Sequence, residues 1–280
     1  MQFKLSHKSC LTRLKVQYGG LLPMVSKPLS QLKTDSPLNF ARFEFKYILS
    51  AVKRKRLERD LLYFLEYDPF VAHLENHRYF VRSLYYDDPK YTAFHDKIDG
   101  LHSRSKFRVR TYSQAFDDAA PIFLEIKGRH NNLVFKNRTP VHTSGVNWIE
   151  IEGPEFSDAI LNRTDQCAVR DQFQYNLYRK RLVPIALVDY ERRPYLSRYD
   201  PSFRITFDER LSTTRSTGLF PSNDQISKKV IAGYTIMEVK LQNHLPSWFH
   251  RVVQTHELQR ISISKIVTSM ETLGLAYDEH

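Results

Sequence analysis

The sequence predicts an α+β fold in which antiparallel strands form an eight-stranded β-barrel with a charged lumen and flanking helices. Two patterns predict this class: five segments alternate charged and apolar residues with a period of two, and three other segments repeat apolar residues with a helical period. The chain is 41% hydrophobic and 13% aromatic, so it has enough apolar side chain for a packed core. Overall disorder is therefore excluded.

Helical periodicity is clearest in three segments of the chain. The first runs from Ser50 to Tyr67, the second from Thr164 to Arg181, and the third from Ser247 to Leu275. We expect the third segment to break near Ser262 or Ser264, because a serine side chain can cap a new helix. The segments between these three helices are predicted to be strands.

The predicted strands carry their charge on one face. In the first strand, Arg42, Glu44 and Lys46 occupy alternate positions, so they project to one side while the aromatic residues between them project to the other. The same alternation recurs in four further strands, which carry Arg104, Lys106, Arg108 and Arg110; Glu125 and Lys127; Arg204, Thr206 and Asp208; and Glu238 and Lys240.

Two architectures would give this alternation. An antiparallel sheet with one solvated face is the simpler one. The alternative is a closed barrel whose apolar side faces outward under the helices, so that the cations and a few carboxylates line its lumen. The sequence Glu-x-Lys occurs three times, beginning at Glu44, Glu125 and Glu238. This repeated pairing of a basic residue with a single glutamate favours the barrel over a mixed solvated face.

The N-terminal segment and the cysteines give further expectations. Residues 1–39 are predicted to be a basic leader, poorly ordered or loosely docked, and residues 40–280 to form one domain. The two cysteines, Cys10 and Cys167, form no disulfide framework or zinc motif. The leader lacks the apolar run of a signal peptide, so we expect a cytoplasmic protein that can lie peripherally at a membrane.

A charged lumen has to contain water and an anion, because isolated ions are costly to desolvate. The chain has 42 Lys plus Arg against 31 Asp plus Glu, a net charge of +11. Arginine forks match phosphate oxygens, lysines add point charges, and carboxylates bind hard cations such as Mg²⁺ together with phosphate. Only 9 glycines are present, with no glycine-rich phosphate loop. The chemistry therefore favours a polyphosphate site lined by side chains.

The ordered motifs resemble the VTC domain, the polyphosphate polymerase module of the vacuolar transporter chaperone complex. This domain is related to the CYTH or triphosphate tunnel metalloenzymes. The resemblance covers about residues 40 to 275. It rests on the order and spacing of Phe43-Glu44-Phe45-Lys46-Tyr47, Lys106-Phe107-Arg108-Val109-Arg110-Thr111-Tyr112, Leu124-Glu125-Ile126-Lys127, Tyr190-Glu191-Arg192, Arg204-Ile205-Thr206-Phe207-Asp208, Glu238-Val239-Lys240-Leu241-Gln242, Leu245-Pro246-Ser247-Trp248 and Ser264-Lys265.

The resemblance implies a triphosphate tunnel fold with ATP-polyphosphate phosphotransferase activity of the polyphosphate kinase type. In such a transferase the γ-phosphoryl of ATP passes to a growing inorganic polyphosphate chain with the help of Mn²⁺ or Mg²⁺. It implies Glu238 as the metal ligand, with Glu44 and Glu125 as lesser candidates. The implied catalytic residues are Lys46, Arg108, Arg110, Arg192, Arg204 and Lys240, and the implied phosphate-binding set adds Lys97, Lys127 and Lys265.

Two alternatives to the polymerase stay open at this point. A tunnel-fold triphosphatase would hydrolyse a small triphosphate or inorganic polyphosphate with the same lumen. A noncatalytic module would bind polyphosphate or nucleic acid; we expect no specific nucleic acid, because the cations are predicted to face a lumen instead of an outer surface with stacking aromatics. A separate membrane-protein partner is also compatible with the resemblance. The basic run Lys53 to Arg56 is interpreted as the solvated face of the first helix.

Overall fold

The computed structural model describes residues 43–277, apart from residues 118, 131–132, 150, 222–224 and 243. The predicted leader, residues 1–39, lies outside the described residues, as do Cys10 and Arg42. The strands are β1 Phe43–Ser50, β2 Leu65–Tyr67, β3 Tyr79–Asp87, β4 Ser103–Thr111, β5 Ile122–His130, β6 Leu133–Val141, β7 Val183–Ser197, β8 Arg204–Thr214, β9 Ser227–Lys229 and β10 Tyr234–Leu241. The helices are α1 Ala51–Leu61, α2 Pro69–Ala72, α3 Thr92–Ile98, α4 Gly153–Asn162, α5 Ala168–Lys180, α6 Ser247–Thr255 and α7 Lys265–Leu273.

All the strands belong to one antiparallel sheet. Eight of them follow the order β1-β10-β8-β7-β3-β4-β5-β6, while β2 pairs with β7 and β9 pairs with β8. The first strand therefore pairs with the last, and the middle of the chain contributes the other half of the sheet.

The sheet curls into a tunnel. In the strand order β1 and β5 are six steps apart, which would separate them by about 29 Å if the sheet were flat. Instead, Lys127 Nζ on β5 lies 3.4 Å from Glu44 Oε2 on β1. The predicted barrel-like tunnel with a charged interior is therefore confirmed, and the alternative of a flat sheet with one solvated face is wrong. Within the described residues no ladder joins β1 to β6, so a seam remains between them.

The outer face of the tunnel is apolar and lies under helices, as predicted. One cluster joins β3 to β6 with α4 and α5 and includes Phe107, Leu124, Phe156 and Phe173. A second joins β1, β8 and β10 with α1 and α6 and includes Leu57, Leu61, Phe203, Phe207, Val239 and Phe249. These two clusters hold the sheet in its curved shape from outside.

Helix α7 lies on the concave side of the sheet. It contacts β7 and β8, and its Ile266 and Met270 belong to a third apolar cluster with Val81 and Val188 of the inner face. One end of the concave surface is thus filled by apolar side chains. The charged residues occupy the remainder.

The helix predictions were right in part. The predicted helix of residues 50–67 ends at Leu61, because the following residues form β2 against the edge of β7, with Leu65 opposite Ser197. The predicted helix of residues 164–181 begins later, at Ala168. The C-terminal segment breaks as expected into α6 and α7, with Ser264 at the N-cap position of α7.

The prediction that everything else is strand was wrong, since α2, α3 and α4 were missed. Helix α3 is capped from a distance: the Asp87 carboxylate accepts hydrogen bonds from the backbone N–H groups of Ala93 (2.9 Å) and Phe94 (3.1 Å). A cap six residues away leaves no local sequence signature. Helix α4 does carry one, a proline in its first turn, although its apolar residues are not among the segments with clear helical periodicity. Among the described residues no helix is long and apolar enough to cross a membrane.

We expect Leu57→Ala to lower the free energy of unfolding by about 2–5 kcal/mol, because Leu57 is completely buried between α1 and the sheet. Urea unfolding monitored by circular dichroism would measure the change. The neighbouring Arg56→Ala is the matched control on the exposed face of α1, and its effect should stay within about 0.5 kcal/mol. Equal effects of the two substitutions would contradict the packing described for this helix.

Candidate functional site

Cations stand in rows across the concave face of β4, β5 and β6. Lys106 lies opposite Lys127, which in turn lies opposite Lys136. Residues directly opposite in an antiparallel ladder point to the same side, and like charges in this arrangement destabilise the sheet. The next row places Arg108 opposite Glu125. The concave face therefore carries an excess of positive charge that Glu125 offsets only in part.

Glu125 anchors the two arginines of β4. Its side chain has no exposed surface, and its Oε2 accepts from Arg108 Nε at 2.8 Å and from Arg108 Nη2 at 2.6 Å. Arg108 also donates to the Tyr85 hydroxyl at 2.7 Å. Burial alone would raise the pKa of Glu125, but Arg108, Arg110 and Lys136 hold it at about 2. The carboxylate therefore stays ionised and fixes the arginine forks.

Lys136 approaches the other oxygen of the same carboxylate. Its Nζ lies 3.0 Å from Glu125 Oε1. Burial lowers the pKa of Lys136 to about 8 despite the attraction of Glu125, since Arg108 and Arg110 repel its charge. This lysine can therefore gain or lose a proton near neutral pH.

Glu238 is the centre of a second group of charges on the opposite wall. Burial would raise its pKa, but four neighbouring cations hold that pKa well below its ordinary value. Both carboxylate oxygens are occupied by these neighbours: Lys265 Nζ at 2.7 Å and Lys46 Nζ at 3.8 Å from Oε1, and Arg192 Nη2 and Lys240 Nζ, each at 3.3 Å, from Oε2.

Asp208 is the buried partner of Glu238 in this group. Arg192 donates to it through Nε at 2.6 Å and Nη2 at 2.7 Å, and Lys265 Nζ lies 2.6 Å from Oδ2. Burial would lower the pKa of Lys265, but Asp208 and Glu238 raise it above its ordinary value. Lys265 therefore stays charged and ties α7 to two strands at once.

Glu44 and Tyr190 connect the two walls. Glu44 lies 3.2 Å from Lys46 and 3.4 Å from Lys127. Burial and the negative charge of Glu238 would raise the pKa of Glu44. The positive charges of Lys127, Lys46 and Lys240 have the larger effect and lower that pKa to about 2. The Tyr190 ring lies below Arg192 and Lys265, 5.3 and 5.1 Å from its centroid, and its hydroxyl accepts from Arg110 at 3.5 Å.

The structure brings together most of the residues predicted from the motifs. Seven of the predicted cations contact a carboxylate of the concave face: Lys46, Arg108, Arg110, Lys127, Arg192, Lys240 and Lys265. Lys97 lies at the edge, where it donates to Ser262. Arg204 stands apart: its side chain is 51% exposed and its guanidinium is bound by Asp68, although it lies opposite Lys240 in the ladder.

Three residues of the site were missed by sequence reasoning. Lys106 and Asp208 belong to strand patterns that had been recognised, but neither was assigned a role. Lys136 lies on β6. The segment Leu133-Val134-Phe135-Lys136 does not alternate charged and apolar residues, so it carries no strand pattern in the sequence. Its position follows only from the pairing of β6 with β5.

The carboxylates fit a divalent cation that is bound together with phosphate. Among the described residues, no three His, Cys, Asp or Glu side chains converge as an all-protein metal cage. Mg²⁺ is commonly held by one or two carboxylates plus substrate phosphates instead. Glu238 and Glu44 supply such oxygens and share Lys46 as a neighbour. The lysines on Glu238 have flexible stems, so they can turn from carboxylate to phosphate oxygens.

Comparison with known proteins identifies one family. The model of the VTC domain matches residues 41–274. A search of curated proteins finds no match. Two solved structures are similar: a proposed adenylate cyclase from Bacillus halodurans, at TM-score 0.46 and 13% identity over 79% of this chain and 94% of that one, and a protein of Pyrococcus horikoshii, at TM-score 0.43 and 11% identity over 82% and 98%.

We expect Glu125→Gln to lower the free energy of unfolding at neutral pH by about 3–5 kcal/mol, because it leaves Arg108 and Arg110 buried without their counter-charge. The pKa of Glu125 falls from an ordinary 4.5 to about 2 on folding, so its contribution is complete above pH 4.5 and is lost as the pH falls towards 2. Denaturant unfolding between pH 7 and pH 2 would therefore show a flatter acid profile for the variant.

The control for this measurement is Glu66→Gln, which removes a carboxylate from the exposed side of β2. Its stability and acid profile should match those of the unaltered protein. An acid profile for Glu125→Gln that is as steep as that of the control would show that Glu125 is not an ionised partner of the arginines.

Proposed function

Because the chain belongs to the VTC domain family, we propose that it is a polyphosphate polymerase. It transfers the γ-phosphoryl of ATP onto an inorganic polyphosphate chain inside the basic tunnel, and it requires a divalent cation. The VTC domain family is associated with polyphosphate, and this chain folds into an antiparallel tunnel. The direction of the reaction and the acceptor are the parts of the proposal that need experiment.

The observation that carries the proposal is the excess of cations over carboxylates on the concave face. Lys106, Lys127 and Lys136 stand in one row, and within the described part of the chain their carboxylate contacts are those of Lys127 with Glu44 and of Lys136 with Glu125. A row of lysines is stabilised when an anion lies among them. Cations also recur at every second residue of β4, about 7 Å apart, which suits an extended anion with many charges.

In the proposed phosphoryl transfer, rigidly held arginines and flexible lysines have different roles. This reaction needs positioning and charge neutralisation more than covalent chemistry from the protein. Arg108 and Arg192 are held rigidly by Glu125 and Asp208, so their outer N–H groups are oriented before substrate arrives. The proposed catalytic set is Lys46, Arg108, Arg110, Arg192, Arg204 and Lys240; Arg204 would have to leave Asp68 to take part.

Glu238 is proposed to hold Mn²⁺ or Mg²⁺, with Glu44 beside it and Glu125 as a lesser candidate. A divalent cation held by these carboxylates would supply positive charge that neutralises the charge developing on phosphate oxygens. Lys46, Lys240 and Lys265, which contact Glu238 in the free protein, are proposed to contact phosphate together with Lys97 and Lys127. Glu238 is a better candidate than Glu125 because three of its four partners are lysines with flexible stems, whereas Glu125 is bound by two arginines and Lys136.

Incubation of the purified protein with ATP and Mn²⁺ tests the proposal directly. We expect a ladder of phosphate chains on a polyacrylamide gel, with ADP as the second product. Lys240→Met should reduce chain formation at least tenfold, whereas Lys55→Met, on the exposed face of α1, should not. Release of orthophosphate without chains would support the triphosphatase instead. Salt-sensitive binding of DNA without turnover would support a noncatalytic module.

We expect Glu238→Gln to lower turnover without lowering metal-free binding. Loss of this charge leaves four cations with one carboxylate fewer, so metal-free affinity for tripolyphosphate should hold or rise. Metal-dependent turnover should fall by more than tenfold, because the proposed metal ligand is gone. Isothermal titration calorimetry and a Mn²⁺ titration of the rate measure the two effects. Unchanged turnover at every Mn²⁺ concentration would remove Glu238 from the metal site.

We also expect proton uptake when tripolyphosphate binds near pH 8. The pKa of Lys136 is about 8 in the free protein, and a nearby anion raises the pKa of a lysine, so a partly neutral amine becomes protonated. Affinity should therefore fall as the pH rises through 8. Calorimetry in two buffers of different ionisation enthalpy measures the uptake. Lys136→Met should take up fewer protons; equal uptake by both proteins would contradict this assignment.

A further inference from the structure

Three aromatic rings form a row along one end of the tunnel. Strand β3 begins at Tyr79, β4 ends one residue before Tyr112, and β5 begins one residue before Phe123, so the three residues lie at the same end of the antiparallel sheet. The centroids of the Tyr79 and Tyr112 rings are 5.7 Å apart, and those of the Tyr112 and Phe123 rings are 6.1 Å apart. Both pairs meet edge to face, an arrangement that neighbouring aromatic rings favour. We call this continuous row the aromatic rim.

The aromatic rim belongs to the concave face of the sheet. Phe123 lies opposite Arg110 in its ladder, and Tyr79 lies opposite Arg192. Opposite residues point to the same side of a sheet, so both rings share the side of these arginines. Tyr112 follows Arg110 by two residues, which places it about 7 Å farther along the chain, towards the end of the tunnel. The outer part of a ligand that is held by the two arginines would therefore lie beside the rings.

Arg138 adds a planar cation to the aromatic rim. It lies opposite Glu125 in the ladder of β5 and β6, so it also faces the tunnel. The carbon of its guanidinium lies 4.7 Å from the centroid of the Phe123 ring, and its Nη1 donates to the Tyr112 hydroxyl at 3.5 Å. Aromatic rings and arginine planes are the two kinds of surface on which nucleic-acid bases stack. The rim offers both kinds next to each other.

Core packing does not account for the position of Phe123. Its ring is half-buried on a face lined by charges, and among the described residues none of the three apolar clusters includes it. Tyr79 and Tyr112 do pack against the third cluster, which holds their rings in place. Burial raises the pKa of Tyr79 to about 12, so this tyrosine stays neutral. The rim thus presents a neutral aromatic surface beside a strongly basic one.

We propose that the aromatic rim and Arg138 bind the nucleobase of a nucleoside triphosphate, while its triphosphate lies among the cations of the tunnel. The proposal rests on the proposed function, because the tunnel has to hold the phosphates. It adds a stacking contact that an inorganic triphosphate cannot make. Stacking tolerates different bases, because every base has a π-face. The rim therefore selects nucleoside triphosphates over inorganic triphosphate without distinguishing adenine from guanine.

Calorimetry with ATP and with tripolyphosphate, both without metal, tests the proposal. We expect Phe123→Leu, which keeps an apolar side chain but removes the ring, to weaken ATP binding by at least about fivefold and tripolyphosphate binding by less than about twofold. The matched control is Tyr175→Leu on α5. Arg179 lies over the ring of Tyr175 in the same way, 5.6 Å from its centroid, but this pair lies on an exposed helix surface. The control should change neither affinity.

Saturation-transfer difference NMR reads the contact directly. With the unaltered protein, the ring protons of the adenine of ATP should receive saturation, and Phe123→Leu should reduce this signal relative to that of the ribose protons. GTP should give the same pattern through its guanine proton. An adenine that receives no saturation from the unaltered protein would overturn the rim as the base-binding site.

The outcomes separate this proposal from the polymerase proposal. If Phe123→Leu loses affinity for ATP and tripolyphosphate equally, or for neither, the rim is overturned even if the protein makes polyphosphate from ATP. A loss confined to ATP would support the rim even if the protein only releases orthophosphate. Tyr112→Leu should show the same selectivity for ATP, so a folding defect in one variant does not decide the result.

Discussion

The cost of burying like charges governs this structure. A single sheet brings arginines and lysines from six strands and α7 to one concave surface, where their repulsion opposes closure of the tunnel. Three carboxylates relieve most of it: Glu125 on one wall, and Glu238 with Asp208 on the other. Each accepts from a cation on another strand, so the same contacts that neutralise charge also hold the curvature from inside. The apolar clusters under α1, α4, α5 and α6 hold it from outside.

As a result, the cations of the concave face differ in how closely they are paired with carboxylates. Arg108 and Arg192 are each bound by a buried carboxylate through two nitrogens, Lys46, Lys127 and Lys240 share carboxylates through flexible stems, and Lys106 donates to a hydroxyl. In the proposed function, a ligand with many negative charges would lie among these cations. The rigid arginines would orient it and the flexible lysines would adapt to it. Recognition of this kind would depend on charge density and shape and would need no glycine-rich loop.

In five strands the alternation of charged and apolar residues was enough to predict which face lines the tunnel, because side chains in a strand point alternately to its two faces. The resemblance to a family added the proposed roles of Lys46, Arg108 and Glu238. The sequence alone could not predict contacts between residues that are distant along the chain. Asp208 becomes important through Lys265, and Lys136 through Glu125, and neither contact follows from local pattern. For the same reason α3 was missed, since its cap comes from Asp87 on the preceding strand.

The pairing of the first strand with the last has a consequence for how the protein is made. Phe43 lies opposite Leu241 in the ladder, and Lys265, farther along the chain, binds both Asp208 and Glu238. During synthesis β1 leaves the ribosome long before its partner β10, so it must wait unpaired while the middle strands form hairpins. The charge cluster around Asp208 and Glu238 is incomplete until Lys265 at the start of α7 has emerged. The strongly basic cavity therefore forms only late in translation. Until then its cations are not gathered into one site for the anionic nucleotides of the cell.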